Sequence, residues 1–83
     1  MKKPPSLLTV LSRNLELLMV KRGWTSPTVA SKLGVNPDSI NRIRAGRSKY
    51  LDPEMLENIL NLFEVTPDTL LLPQDGVIYD FGD

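Results

Sequence analysis

Residues 26–43 read SPTVASKLGVNPDSINRI, and this stretch decides the fold. Apolar side chains recur at helical spacing on both sides of Gly34. Those before it are Val29, Ala30 and Leu33, and those after it are Val35, Ile40 and Ile43. Glycine adopts the left-handed backbone conformation of a tight turn without steric cost. The stretch therefore predicts two short helices that cross closely, with a small residue at Ala30 and the turn at Gly34.

The second of these helices has a strong start signal, which is Asn36 followed by Pro37 and Asp38. Asparagine caps a helix, proline presets φ at its first position, and aspartate interacts favourably with the positive end of the helix. With Ile40 and Ile43 turned inward, the helix leaves a short outer face that is polar and basic. Its members are Pro37, Asp38, Asn41, Arg42 and Ala45. A face of this character fits the major groove of DNA.

Three further helices are predicted around this pair, so the sequence indicates an all-α domain. Leucines at three- and four-residue steps predict a first helix that ends near Gly23. The Asp-Pro pair at 52–53 begins a fourth helix, and the Thr-Pro pair at 66–67 begins a short fifth helix that runs through Leu72.

The predicted domain has a segment on each side of it. Prolines prevent a helix near the start, so residues 1–5 are expected to form a flexible basic arm. Residues 6–72 are expected to form one compact five-helix domain. Residues 73–83 are expected to form an acidic C-terminal tail with a short extended segment.

The formal net charge of zero conceals a strong separation of charge along the chain. All ten basic residues precede Tyr50, against two acidic residues, Glu16 and Asp38, so the first fifty residues carry a formal charge of +8. From Leu51 onward there are eight acidic residues and no basic one, a formal charge of −8. This asymmetry suits a molecule that presents one face to phosphates and turns the other to solvent or a protein partner. Two solvated faces of opposite sign are the alternative interpretation.

The composition excludes several classes of protein. There is no cysteine and no histidine, which excludes disulfides, thiolate chemistry, the usual zinc sites and histidine acid–base catalysis. No apolar stretch near the start has the length of a secretory signal core or a membrane span. No nucleophile–base pair and no phosphate-binding glycine loop is recognisable. We therefore expect a cytoplasmic binding protein without enzymatic activity, cofactor, metal or membrane contact.

From about residue 7 to residue 72 the chain resembles the lambda-repressor-like family of phage repressors, Cro proteins and related regulators. The residues that carry the resemblance are Val29-Ala30, Leu33-Gly34-Val35, Ile40, Ile43, Gly46, Leu56, Ile59, Phe63, Val65 and Leu70. The resemblance implies a five-helix domain that reads a double-stranded DNA operator as a homodimer through the helix at 36–45. Where the family commonly has a glutamine that meets a phosphate, this chain has Ser26. Where the family often pairs an arginine in the first helix with a glutamate late in the third, this chain has Met19 and Arg44.

The candidate DNA contacts lie at the start of the second helix, along the third helix and in the loop after it. They are Thr25, Ser26, Pro37, Asp38, Ser39, Asn41, Arg42, Arg44, Arg47 and Lys49. Arg42 is expected to bridge O6 and N7 of a guanine, with a phosphate contact as the alternative. Asn41 is expected either to address an adenine or to be an ordinary exposed polar residue. Asp38 either accepts a hydrogen bond from a cytosine amino group or supports the helix N-terminus.

The other charged and polar candidates are expected to contact the DNA backbone. Arg47 and Lys49 lie in the loop after the helix at 36–45, which is the predicted recognition helix. They are predicted to contact DNA phosphates, with solvated loop charges as the alternative. Ser26 has a shorter side chain than glutamine and can still donate to a phosphate. Arg44, without the partner that the family provides, is expected to reach either a phosphate or Glu16.

Two functions compete on this sequence. The first is a DNA-binding transcriptional regulator of the phage or prophage repressor type, or Cro-like. The second is an antitoxin or anti-repressor that keeps the fold while its acidic C-terminal half binds a protein partner, such as a toxin or another regulator. The near-neutral total charge, Ser26 in place of glutamine and Asp38 at the groove favour the second.

A single short recognition helix reads few base pairs, so the regulator is expected to act as a homodimer. The pairing surface is expected in the acidic half, because two strongly basic faces repel each other. The apolar run at 70–72 is one candidate for it. Val77, Tyr79 and Phe81 alternate as in a strand, so the tail either pairs with a second copy or folds back over the fourth helix.

Overall fold

The computed structural model describes residues 6–47 and 52–79, and within these ranges the chain forms five α-helices and no strand. Their bounds are α1 Leu7–Arg22, α2 Ser26–Leu33, α3 Pro37–Arg44, α4 Pro53–Phe63 and α5 Pro67–Leu71. The all-α class and the order of the helices are confirmed. Lys49, Phe81 and the predicted arm at 1–5 lie outside the described residues. No helix within the described ranges is both long and apolar enough to cross a membrane.

The helices begin where the sequence predicts, with proline in the first turn of α2, α3, α4 and α5. The side chain of Asn36 caps α3 by accepting a hydrogen bond from the N–H of Asp38 at 2.9 Å. Asp52 caps α4 in the same way, at 3.0 Å from the N–H of Glu54. Each cap satisfies a backbone donor that the helix itself leaves without a partner. The capping hydrogen bond of α3 thus comes from Asn36, and Asp38 adds its negative charge to the first turn.

Four of the helices end with a residue in the left-handed conformation just after the last turn. These residues are Gly23 after α1, Gly34 after α2, Gly46 after α3 and Glu64 after α4. At Gly34 φ is +70°, and the N–H of Val35 donates to the carbonyl of Ala30 at 2.9 Å. This geometry confirms the predicted turn between α2 and α3. At Glu64 φ is +56°, so a side chain occupies a conformation that favours glycine.

Replacing Gly34 by alanine is expected to lower the free energy of unfolding by about 1 kcal/mol. A Cβ atom added at Gly34 would meet nothing within 4 Å, so the whole cost is the strain of a positive φ. The reciprocal change Glu64→Gly should raise the free energy of unfolding by about the same amount, because it relieves that strain. Urea denaturation measures both changes. A Gly34→Ala variant as stable as the parent would contradict the left-handed turn.

α5 ends at Leu71, one residue earlier than predicted. Leu72 has an extended backbone, with φ −109° and ψ 147°. The cause is Pro73, whose ring disfavours a helical conformation at the residue before it. The side chain of Leu72 is 54% exposed.

The core lies where α1 packs against α3 and α5, and where α2 packs against α3 and α4. The buried side chains of its main cluster are Leu11, Leu15, Met19, Val29, Ala30, Ile40, Ile43, Ile59, Phe63 and Leu70. Trp24 packs against this cluster, with its ring 5.3 Å from that of Phe63. Because Ile40 and Ile43 are part of the core, the opposite face of α3 is directed to solvent.

α1 also buries two polar residues that the sequence analysis did not single out, Ser12 and Asn14. The amide nitrogen Nδ2 of Asn14 donates to the carbonyls of Leu70 and Leu72, each at 2.9 Å. Its Oδ1 accepts a hydrogen bond from the hydroxyl of Tyr79 at 2.6 Å. These bonds tie the C-terminal segment to α1. The hydrogen bonds of the described part of this segment thus reach α1, whereas the fold-back alternative named the fourth helix.

Candidate nucleic-acid interface

α3 presents one face to the core and the opposite face to solvent. Ile40 and Ile43 are buried. The exposed side chains are Pro37, Asp38, Asn41, Arg42 and Ala45. Positions 38, 41, 42 and 45 follow the three- and four-residue spacing of a single helical face. Ser39 is half-buried beside that face. The structure thus brings the polar residues predicted for the outer face together on the surface.

Arg47 lies directly after α3 in a turn that is closed by backbone hydrogen bonds. The N–H of Gly46 donates to the carbonyl of Ile43 at 3.0 Å, and that of Arg47 donates to the carbonyl of Arg42 at 2.9 Å. This pair of bonds around a left-handed glycine is the Schellman motif. The side chain of Arg47 is exposed. The backbone of Arg47 is therefore fixed relative to that of Arg42. Both arginines are exposed, Arg42 on the outer face of α3 and Arg47 just after its end.

The two candidates at the start of α2 differ in exposure. Thr25 is exposed, and its Oγ1 lies 3.1 Å from Oγ1 of Thr28. Ser26 is only 3% exposed. Its Oγ accepts a hydrogen bond from Nη1 of Arg44 at 2.9 Å. Thr25 is thus accessible to a ligand, whereas Ser26 bonds to another residue of the predicted site.

Arg44 makes the contact with Glu16 that was one of its two predicted alternatives. Its Nη2 lies 3.8 Å from Oε1 of Glu16, while Nη1 of Arg13 lies 3.6 Å from Oε2 of the same carboxylate. The ion pair between the first and third helices is therefore present with the arginine on α3 and the acid on α1. The resemblance to the family suggested this contact as one of two alternatives, and the packing of α1 on α3 brings the two partners together.

Two other basic residues, Arg22 and Lys32, pack around the ring of Trp24. The guanidinium of Arg22 lies 5.3 Å from the centre of the Trp24 ring, and Nζ of Lys32 lies 4.9 Å from it. Nη2 of Arg22 also donates to the carbonyl of Phe63 at 3.0 Å. A cation over an aromatic face is a stabilising arrangement. No local sequence signal indicates these contacts, which join α1, α2 and α4.

Comparison with known proteins agrees with this arrangement. The sequence pattern of the Cro/C1-type HTH DNA-binding domain matches residues 14–75. The crystal structure of a hypothetical transcription factor, NHTF, from Neisseria has the same fold. The two superpose with a TM-score of 0.76 and 22% sequence identity, over 88% of this chain and 87% of that one. No curated protein matches the sequence. The chain belongs to the Cro/C1-type helix-turn-helix DNA-binding domain family.

Proposed function

We propose that the chain is a transcriptional regulator that binds an operator by placing α3 in the major groove. The observation that carries the proposal is the outer face of α3, which presents Asn41 and Arg42 to solvent while Ile40 and Ile43 anchor its opposite face. Guanidinium and amide groups on an exposed helix are the groups that recognise guanine and adenine edges in that groove. We assign base contacts to these two residues.

The remaining candidates on this surface are assigned to positioning on the DNA. Thr25 at the start of α2 and Arg47 after α3 are exposed and suited to phosphate contacts. We give the same role to Lys49, which lies outside the described residues. Asp38 is exposed in the first turn of α3, and Pro37 and Ser39 lie next to it. We place these three at the DNA surface, with Asp38 as an acceptor for a cytosine amino group.

A salt titration of DNA binding tests the proposal against the antitoxin or anti-repressor alternative. The full-length protein is titrated with a duplex selected from random sequences and with a scrambled duplex of equal composition. Specific binding should tighten steeply as salt falls and should survive excess competitor DNA. Feeble binding that does not distinguish the two duplexes would contradict the proposal and favour an adaptor that binds protein.

Arg47→Ala is expected to weaken binding evenly on all duplexes and to reduce the slope of log affinity against log salt by about one per protomer. The reason is that a phosphate contact carries no sequence information but does release counterions. Fluorescence anisotropy with a labelled duplex at several salt concentrations measures both quantities.

Lys32→Ala is the matched control for Arg47→Ala. It removes the same charge from the last turn of α2, where Lys32 lies over the Trp24 ring. We expect its salt slope to equal that of the parent. An unchanged slope in Arg47→Ala, or an equal reduction in both variants, would contradict the assignment of Arg47 to a phosphate.

We also propose that the regulator binds as a homodimer whose pairing surface lies in the acidic C-terminal half. Leu72 and Ile78 are 54% and 76% exposed there, so a partner that covered them would remove apolar surface from water. Analytical ultracentrifugation of the Leu72→Glu, Ile78→Glu double variant tests the proposal. We expect a folded monomer with weaker operator binding, and a parent protein that stays monomeric on its operator would contradict it.

A further inference from the structure

Arg44, the last residue of α3, is bonded to both of the preceding helices. The buried hydroxyl of Ser12 on α1 donates to the backbone carbonyl of Arg44. Nη1 of Arg44 donates to Oγ of Ser26 on α2 at 2.9 Å, and its Nη2 faces Glu16 on α1 at 3.8 Å. The C-terminal end of α3 is therefore held by side-chain and backbone contacts to two different helices.

Arg44 and Arg42 point to different sides of α3. Two residues along an α-helix are separated by about 200° around its axis. Arg42 is exposed, whereas Arg44 is half-buried and directed toward α1 and α2. The two arginines of this helix are therefore not equivalent candidates for DNA.

The charge of Arg44 has a carboxylate beside it. Glu16 is one of only two acidic residues among the first fifty, and it lies near the guanidinium groups of both Arg13 and Arg44. A neighbouring negative charge attracts a guanidinium and repels a phosphate. This arrangement favours an internal role for Arg44 over a contact with the DNA backbone.

We propose that Arg44 is a positioning residue, which fixes the last turn of α3 against α1 and α2 and does not contact DNA. Ser26 and Glu16 act through it. The inference rests on the proposed function, since it concerns the helix assigned to the major groove. Accurate base contacts need side chains that are held by their supporting neighbours. Loosening the end of α3 therefore reduces the discrimination between bases by Asn41 and Arg42.

The test measures dissociation constants of full-length protein for its selected duplex and for a duplex with one base pair changed, over a series of salt concentrations. Arg44→Gln should lower the ratio of the two constants about fivefold, the size expected for a coupled contact. Its salt slope should equal that of the parent, because no phosphate contact is lost. Combining Ser26→Ala with Arg44→Gln should add little further loss, since both changes break the same hydrogen bond.

Glu16→Gln and Arg13→Gln complete the set. Glu16→Gln keeps the hydrogen bond between Arg44 and Ser26 and should give a smaller loss of base discrimination. If Arg44→Gln does not fold, this milder variant still tests the proposal. Arg13→Gln removes the other arginine beside Glu16 and should leave discrimination unchanged. A salt slope that falls by about one per protomer in Arg44→Gln would identify a phosphate contact and overturn the proposal.

A measurement without DNA separates this inference from the proposed function. The N–H groups of Ala45, Gly46 and Arg47 donate to carbonyls of α3, so their hydrogen exchange reports on opening of its last turn. Arg44→Gln should speed their exchange about fivefold relative to amides of α4. Equal exchange rates of these amides in parent and variant would overturn the positioning role. This outcome does not depend on whether the protein binds DNA.

Discussion

Asn14→Leu is expected to lower the free energy of unfolding by about 3 kcal/mol, although leucine is more apolar and has the same number of side-chain heavy atoms. Asn14 is only 2% exposed. Its amide group forms hydrogen bonds with three groups within and after α5, which are the carbonyls of Leu70 and Leu72 and the hydroxyl of Tyr79. Leucine leaves the carbonyls of Leu70 and Leu72 and the hydroxyl of Tyr79 without that partner. Buried polar groups that lose a partner cost about 1–3 kcal/mol each, and part of this cost is recovered where water reaches them.

Urea denaturation followed by Trp24 fluorescence measures the stability of the Asn14→Leu variant. Tyr79→Phe is the matched control, because it removes one hydroxyl from the same network and should cost about 1 kcal/mol. The N–H of Gln74, which donates to that hydroxyl at 2.7 Å, is exposed and can bond to water instead. An Asn14→Leu variant as stable as the parent would show that this network adds no net stability.

Arg42→Ala is expected to remove base discrimination at one position of each half-site, at a cost of about 1–3 kcal/mol. Its guanidinium is exposed on the outer face of α3, next to Asn41. The bidentate contact with O6 and N7 forms only when guanine occupies the contacted position. Its loss therefore lowers the affinity for the preferred duplex and leaves the affinity for duplexes with another base at that position unchanged. The preference at that position should therefore disappear, while those at the other positions persist.

Affinities of parent and Arg42→Ala protein for duplexes with each base pair at every position measure this effect. Arg47→Ala is the matched control, since it also removes an exposed arginine but should weaken all duplexes evenly. An equal loss of affinity for all duplexes in Arg42→Ala would contradict the base contact and would assign Arg42 to a phosphate, like Arg47. The readout of bases would then rest on Asn41 and its neighbours.

Much of the fold is predictable from sequence because its signals are local. The Asn-Pro pair at 36–37 and the Asp-Pro pair at 52–53 indicate helix starts, and Gly34 indicates a left-handed turn. The left-handed conformation of Glu64 is not predictable in this way, since a glutamate has no preference for it. There the turn is closed by backbone hydrogen bonds, from the N–H of Glu64 to the carbonyl of Asn61 and from that of Val65 to the carbonyl of Leu60.

The buried polar residues of α1 were missed for a related reason. Ser12 and Asn14 interrupt the leucine stripe and read as the solvent face of an amphipathic helix. Their partners are a carbonyl at the end of α3 and groups within and after α5, which lie 32 or more residues away along the chain. Such pairings depend on tertiary packing, so periodicity alone does not indicate them.

In the candidate site, too, some features follow from the local sequence and others depend on tertiary packing. The exposure of Asn41 and Arg42 follows from helical periodicity once Ile40 and Ile43 are assigned to the core. The hydrogen bond between Ser26 and Arg44 depends on how α2 and α3 cross, so it does not follow from the spacing of residues along either helix.

The outer face of α3 is the surface that we propose reads a DNA sequence. Selection of bound duplexes from a random pool by the full-length protein tests this proposal most directly. We expect enrichment of a two-fold symmetric sequence, with half-site centres about one helical turn or a multiple of it apart. We also expect Arg42→Ala protein to select the same sequence with one position per half-site relaxed. A selected pool that matches the starting pool would contradict the proposal.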